Sequence, residues 1–194
     1  MTTISLPRIE AKRVCLRRLG ESDIDSLFEI FSDEQVMRYW SGPPLTDRQA
    51  AKALFEEIEL ANSLGSMKKW GIATLDNDAV IGTATLFHLE LSNGRAEIGY
   101  AQNRKMWGQG FMNEALQALL DYSFNQLKLR RLEADVDPRN LGSIRTLERL
   151  GFQREGFLRE RWHVNGEIQD AYFYGLLERE WRTLESSEPL NVKS

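Results

Sequence analysis

The sequence predicts one α+β domain, and three observations carry that expectation. Lys69 to Leu75, Ala79 to Leu91 and Arg95 to Ala101 are β-branched and aromatic runs joined by short polar turns, the pattern of an antiparallel meander. Segments on either side of the meander place apolar residues three and four apart, the period of helices that bury one face. No internal repeat, low-complexity block or long linker divides the 194 residues, a length that one core can serve.

The elements follow in order. Val14, Leu16 and Leu19, among Arg17 and Arg18, form an extended run that ends at Gly20. Ile24, Leu27, Phe28 and Phe31 then share a helical face, with Ser22 as a candidate N-cap. After Gly42-Pro43-Pro44, the Thr46-x-x-Gln49 spacing of a capping box predicts a second helix over roughly 47–64. The meander comes next, with Asp76-Asn77-Asp78 and Asn93-Gly94 at its turns. From Phe111, the side chains of Ala115, Leu116, Leu119 and Leu120 line one side of a helix that closes over Asn125 to Lys128. Leu132 to Val136 is extended and stops at Asp137-Pro138. A short helix from Asn140 carries Ile144, Leu147 and Leu150, and Gly151 is placed to end it in a left-handed turn. Phe152 to His163 and Ile168 to Leu177 flank Asn165-Gly166, a strong hairpin signal. The expected domain spans 1–185, and the tail after Leu184, with Ser186, Ser187 and Pro189, is expected to fray over 186–194.

Composition removes several function classes. No stretch approaches the ~20 apolar residues that span a bilayer, and Met1 to Glu10 lacks the apolar core of a secretory signal, so a cytoplasmic protein without membrane association is expected. One cysteine, Cys15, precludes an internal disulfide and reads as a buried structural thiol; two histidines, His88 and His163, cannot supply a zinc-ligand spacing, so no metal is expected. With 25 basic against 29 acidic residues the net charge is -4, which argues against direct nucleic-acid binding. Basic clusters at Arg17-Arg18, Arg104-Lys105, Arg130-Arg131 and Arg154 to Arg161 read as solvated faces.

The window richest in chemistry runs from Ala96 to Phe111. Its strand leads through Arg104-Lys105-Met106-Trp107-Gly108-Gln109-Gly110 into the start of the helix at Phe111. Unpaired amides and the helix dipole make such a junction a site for phosphate, and Gly108 and Gly110 let backbone approach an anion closely. The same turn also serves as a plain tight connection. A P-loop is excluded because Phe111-Met112 follow Gly110 in place of Lys-Ser or Lys-Thr. A dinucleotide fingerprint is excluded by Asn113 where a third glycine belongs, and by the meander where a βαβ unit belongs.

Together these residues resemble the GNAT N-acetyltransferase superfamily. Lys105-x-x-Gly108-x-Gly110, preceded by Glu97-Ile98-Gly99-Tyr100 and followed by Glu114-Ala115-Leu116, is similar to its acyl-CoA loop. Asp137-Pro138-x-Asn140-x-x-Ser143, Leu147-Glu148-Arg149-Leu150-Gly151-Phe152 and Glu155-Gly156 before a hairpin ending in Asp170 extend the resemblance over roughly residues 6–183. The branch most similar contains ribosomal-protein alanine N-terminal acetyltransferases. The resemblance implies a mixed, mostly antiparallel sheet flanked by helices, with a V-shaped splay between Arg95 to Ala101 and the parallel strand Leu132 to Val136. It implies acetyl-CoA as cosubstrate, its pantetheine arm in the splay. Backbone groups of Ile98, Gly99 and Tyr100 would hold that arm. Amides of Met106, Trp107, Gly108, Gln109, Gly110, Phe111 and Met112 would hold the pyrophosphate. Asn140 would bond the pantetheine, and Lys105 or Arg104 would meet the 3′-phosphate. Acetyl would pass directly to a primary amine, by expectation the N-terminal amine of a protein or peptide; a small amine such as a polyamine or antibiotic, or a silent acyl-CoA-binding module, are the alternatives. Members of the superfamily often form homodimers.

Two departures shape the candidate catalytic residues. The loop opens with Lys105 where arginine or glutamine is usual, and Leu147 stands where many members carry the tyrosine that protonates the departing thiolate. Ser143, one turn earlier and on the side of Asn140, is the candidate hydroxyl, or else it satisfies the helix start. Glu97 is the candidate relay for the amine proton through water, or else a solvent-facing or salt-bridged strand residue. The other acid or base position of the branch, in the terminal hairpin, holds Trp162. Trp40 and His88 are candidates for the acceptor pocket, each with a packing or structural role as the alternative.

Overall fold

The computed structural model describes residues 6–164 and 166–187. One eight-stranded sheet runs in the order β1-β2-β3-β4-β5-β6-β8-β7. Its strands are β1 (Ile9–Glu10), β2 (Val14–Arg17), β3 (Met67–Thr74), β4 (Val80–Glu90), β5 (Arg95–Gln102), β6 (Arg131–Val136), β7 (Gln153–Val164) and β8 (Glu167–Leu177). Every neighbouring pair is antiparallel except β5 and β6. The helices are α1 (Ile24–Phe31), α2 (Glu34–Met37), α3 (Arg48–Leu64), α4 (Phe111–Asp121), α5 (Leu141–Arg149) and α6 (Glu178–Ser187).

Strand alternation divides the core in two. On one face Trp70, Ile72, Ala84, Leu86, Ile98 and Leu132 pack against Met112, Ala115, Leu116, Leu119 and Leu120 of α4. On the other face Cys15, Ala73, Val80 and Ala101 pack against Leu27, Ile30 and Phe31 of α1, Met37 of α2 and Ile58 of α3. Each fully buried Leu, Ile or Phe contributes roughly 1.5–3 kcal/mol relative to exposure, so α4 alone fixes the sheet firmly beneath the loop that precedes it.

Local details differ from the sequence expectations for identifiable reasons. Ser22 caps no helix: a 3-10 turn over Glu21–Asp23 leads into α1, and Asp23 accepts from the Gly20 amide at 2.8 Å while Arg17 holds the same carboxylate. The capping box at Thr46 is not formed either, because Asp47 accepts from the Ala50 amide at 2.8 Å and is itself the cap. The short elements β1 and α2 carry too few residues for a periodic signal. Ser186 and Ser187, expected to fray, belong to α6. Asn165 of the predicted turn and residues 188–194 of the predicted tail lie outside the described residues. Gly151 does end α5 in the left-handed region, at φ 90°, with the Phe152 amide donating to the Leu147 carbonyl at 3.0 Å.

Candidate active site

β5 and β6 pair only at Arg95 with Arg131, Ala96 with Leu132 and Glu97 with Glu133. Beyond Glu97 the strands diverge: β5 continues to Gln102 against β4, and β6 to Val136 against β8. The edge of Ile98 to Tyr100 that faces β6 is therefore left without a partner strand. A charge ladder closes the narrow end. Glu133, 8% exposed, receives Arg95 at 2.8 Å and Arg131 at 2.6 Å, and Arg131 continues to Glu155 at 2.5 Å. A cavity of about 980 Å³ opens from the wide end, lined by Ile98, Gly99 and Tyr100, by Gly108, Gly110 and Met112, and by Asn140 and Ser143.

The loop between β5 and α4 is held by hydrogen bonds of its own. Asn103 Oδ1 accepts from the Lys105 amide at 3.0 Å, the Met106 amide donates to the Asn103 carbonyl at 2.9 Å, and the Trp107 amide donates to the Arg104 carbonyl at 3.2 Å. Those bonds engage the amides of Met106 and Trp107, two of the seven expected to hold the pyrophosphate. From Gly108 to Asn113, no amide donates to a carbonyl among the described residues, and Gly108 (φ 74°) and Gly110 (φ 82°) turn the chain into α4 through the left-handed region. Asn113 Oδ1 is buried, lacks a hydrogen-bond partner and belongs to a residue that lines the cavity. Arg13, from the turn after β1, pins the junction: its guanidinium meets Glu114 at 2.9 Å and the Gln109 carbonyl at 3.2 Å and lies over the Phe111 ring.

Lys105 and Arg104 do not line the cavity. Lys105 Nζ is 2.5 Å from Glu29 and Arg104 Nε 2.8 Å from Asp33, both acids of the α1–α2 region. Among the cations that do line it are Arg145 and Arg149, one turn apart on α5. Their four-residue spacing was visible in the sequence; that it faced the cavity was not.

Asn140 is the N-cap of α5, its Oδ1 accepting from the Ser143 amide at 3.1 Å, which leaves its Nδ2 to meet a ligand. Ser143 is thus the capped residue and not the cap, and its hydroxyl is 2.8 Å from the Tyr100 hydroxyl. Burial pushes the Tyr100 phenol well above the ordinary tyrosine range, and the Ser143 hydrogen bond offsets only part of that, so the phenol is neutral at physiological pH. Leu147 is buried in the core at 1% exposure. Glu97 lines the cavity where strand pairing stops, 13% exposed, with Oε1 2.8 Å from His88 Nδ1. His88 itself stands outside the lining, 63% exposed at φ 47° on an irregularity of β4, where it holds Glu97.

The far half of the cavity is walled by Tyr39, Trp40, Lys69, Phe87 and, from the terminal hairpin, Trp162. Trp40 lines it while stacking edge-on against Phe31. Trp162 Nε1 donates to Asp135 at 2.9 Å. Nothing along the chain marks Asp135 and Lys69 as lining residues, because the sequence does not signal which face of their strands meets a cavity.

A splayed parallel pair, an open amide cradle and a helix bearing asparagine and serine form a frame for a long phosphate-bearing thioester beside an amine. The acetyltransferase (GNAT) domain model matches residues 13–153. The chain belongs to the GNAT acetyltransferases. It is 39% identical over 170 residues to the uncharacterized N-acetyltransferase p20 of Bacillus licheniformis, covering 88% of this chain and 96% of that protein. It is 25% identical over 184 residues to the [ribosomal protein uS5]-alanine N-acetyltransferase of Escherichia coli, covering 90% and 92%. Among solved structures, a GNAT acetyltransferase from Bacillus anthracis superposes with TM-score 0.80 at 27% identity over 90% of this chain and all of that one. This GNAT chain is accordingly an acetyl-CoA-dependent N-acetyltransferase. Among its described residues, no helix is long and apolar enough to cross a membrane, and no group of three or more His, Cys, Asp or Glu side chains could hold a metal ion.

Proposed function

We propose that this GNAT enzyme acetylates the N-terminal amine of a protein or peptide. The observation that carries the reading is the charge of the cavity wall. Arg38, Lys69, Arg139, Arg145 and Arg149 line it against Glu97, Asp135 and Asp137; Arg139 and Asp137 pair with each other at 2.6 Å and Asp135 is matched by Arg161 at 3.2 Å, which leaves Arg38, Lys69, Arg145 and Arg149 against Glu97. Such a wall repels a polycation, which disfavours polyamines. The aromatic sides Tyr39, Trp40 and Trp162 suit a peptide end. Likeness to the uS5-alanine enzyme along nearly its whole length points the same way.

Acetyl-CoA supplies an activated acyl group whose thiol departs when an amine attacks. The unpaired edge of Ile98 to Tyr100 holds the pantetheine amides, as an added strand would, and one of its amides faces the developing oxyanion. Gly108 to Met112 hold the pyrophosphate, and Asn140 Nδ2 meets the pantetheine. Glu97, oriented by His88, takes the amine proton through water. Ser143 donates to the departing sulfur, with the Tyr100 phenol holding its hydroxyl in place. The live hydroxyl pair and the ordered Glu97–His88 pair weigh against a silent acyl-CoA-binding module.

Thiol release with acetyl-CoA tests the acceptor class. Peptides with a free N-terminus should be turned over at least about tenfold faster, in kcat/KM, than spermidine or an aminoglycoside, a gap of about 1.4 kcal/mol. Faster turnover of either small amine would reverse the assignment.

A further inference from the structure

Lys69 is a charged side chain without a charged partner. It sits on β3 directly across from Thr85, which in turn faces Gly99 of β5, so the three residues form one row pointing at the α1 side of the sheet and line the cavity together. Its residue is 8% exposed. Its Nζ stands 5.1 Å from the centre of the Phe31 ring and 5.8 Å from that of Trp40. No ion pair engages it among the described residues, and burial alone displaces its acidity, holding the ammonium pKa down at about 8. Two aromatic faces steady a cation without satisfying its N–H donors. The acids on the same side of the sheet are held elsewhere: Glu97 by His88, Glu133 by Arg95 and Arg131, and Asp135 by Arg161 and Trp162.

A buried ammonium left unpaired in an open cavity is a binding group waiting for an oxygen anion. We infer that Lys69 forms an anion subsite in the acceptor half of the cavity, and that the preferred acceptor carries a carboxylate close to its reacting amine. The inference rests on the proposed amine acetylation and narrows it. Two rows of strand spacing, roughly 10 Å, separate the backbone of Lys69 from that of Gly99, and the lysine side chain spans part of that gap, so the carboxylate belongs within the first few residues of a peptide end or on a small amino acid or dipeptide. Lys68, the next residue, alternates to the opposite face and does not line the cavity, although it too is buried.

Matched acceptors test the subsite. One pair of peptides differs only in Glu or Gln at the second or third residue; another pair is a dipeptide and its C-terminal amide. Wild type, Lys69→Met and Lys68→Met are compared, with folding checked by circular dichroism. Wild type and Lys68→Met should favour the carboxylate member of one pair by about ten- to hundredfold in kcat/KM, carried by KM, and Lys69→Met should level that pair. The pair that responds says whether the carboxylate is a peptide side chain or a free terminus. Equal use of both members by wild type, or a preference that survives in Lys69→Met, overturns the subsite and leaves N-terminal acetylation standing. Turnover of none of the four acceptors overturns the acceptor reading and the subsite with it.

Discussion

The hydroxyls of Tyr100 and Ser143 meet at 2.8 Å across the open end of the splay, joining β5 to the first turn of α5. Sequence alone had left Ser143 between capping and chemistry. The cap is Asn140, which frees the serine hydroxyl, and the neutral phenol of Tyr100 can accept from it or donate to it without changing charge. Ser143→Ala should lower kcat by about 10- to 100-fold with little change in the KM for acetyl-CoA. Tyr100→Phe should cost less, about three- to tenfold, and the double variant should be no worse than Ser143→Ala, since the two act as one unit. Steady-state kinetics on the three variants decides this, and additive losses would separate the pair.

The anion cradle depends on a residue far away in sequence. Arg13 ties the Gln109 carbonyl and Glu114 to the β1–β2 turn, so Arg13→Ala should loosen the start of α4 and raise the KM for acetyl-CoA by about tenfold while kcat falls less. Gly110→Ala should act in the same direction. An alanine at φ 82° costs about 1–2 kcal/mol of backbone strain, and the added methyl would also stand 3.3 Å from the Arg13 guanidinium. Calorimetric titration with CoA reads both.

Glu133 sits between two guanidiniums at the closed end of the splay. Glu133→Ala leaves both arginines without their central acid. Because Arg95 and Arg131 are 37% and 23% exposed and can be rehydrated, the expected loss is about 1–3 kcal/mol, below that of a fully buried pair. Urea unfolding measures it.

Lys69 gives a pH signature independent of catalysis. Burial lowers its pKa in the folded chain to about 8, from an ordinary value of 10.5. Between these two values the unfolded chain binds the proton and the folded chain does not, so this residue's contribution to stability rises with pH across that window. Lys69→Met removes the cost of burying the charge. It should therefore be more stable than wild type at pH 7, by an amount on the order of 3 kcal/mol, and the advantage should shrink steadily from pH 8 towards 10.5. Parallel denaturation series would show it, and a constant difference would refute it.

The sequence made the meander, α3, α4, α5 and the terminal hairpin legible, because each carries an apolar period or a turn signal strong enough to stand without tertiary context. The glycine loop, with Gly108 and Gly110 in the left-handed region before α4, was legible for the same local reason. The sequence could not reveal how α5 presents Ser143 to Tyr100, since that pairing joins residues 43 apart through a splay defined only by where strand pairing stops. It could not reveal the ion pairs of Lys105 and Arg104, whose partners, Glu29 and Asp33, lie more than 70 residues earlier in the chain. The place of His88 was not legible either, because the register shift between Phe87 and Glu90 that leaves it beside Glu97 and outside the cavity lining is set by the pairing of β4 with β5.

One measurement bears most directly on acetyl transfer to an N-terminal amine. A peptide with both a free N-terminus and an internal lysine is incubated with acetyl-CoA and the enzyme, and the modified position is read by tandem mass spectrometry. Acetylation confined to the α-amine, and reduced with Ser143→Ala, is the expected result. Acetyl on the lysine side chain with the α-amine untouched would contradict it.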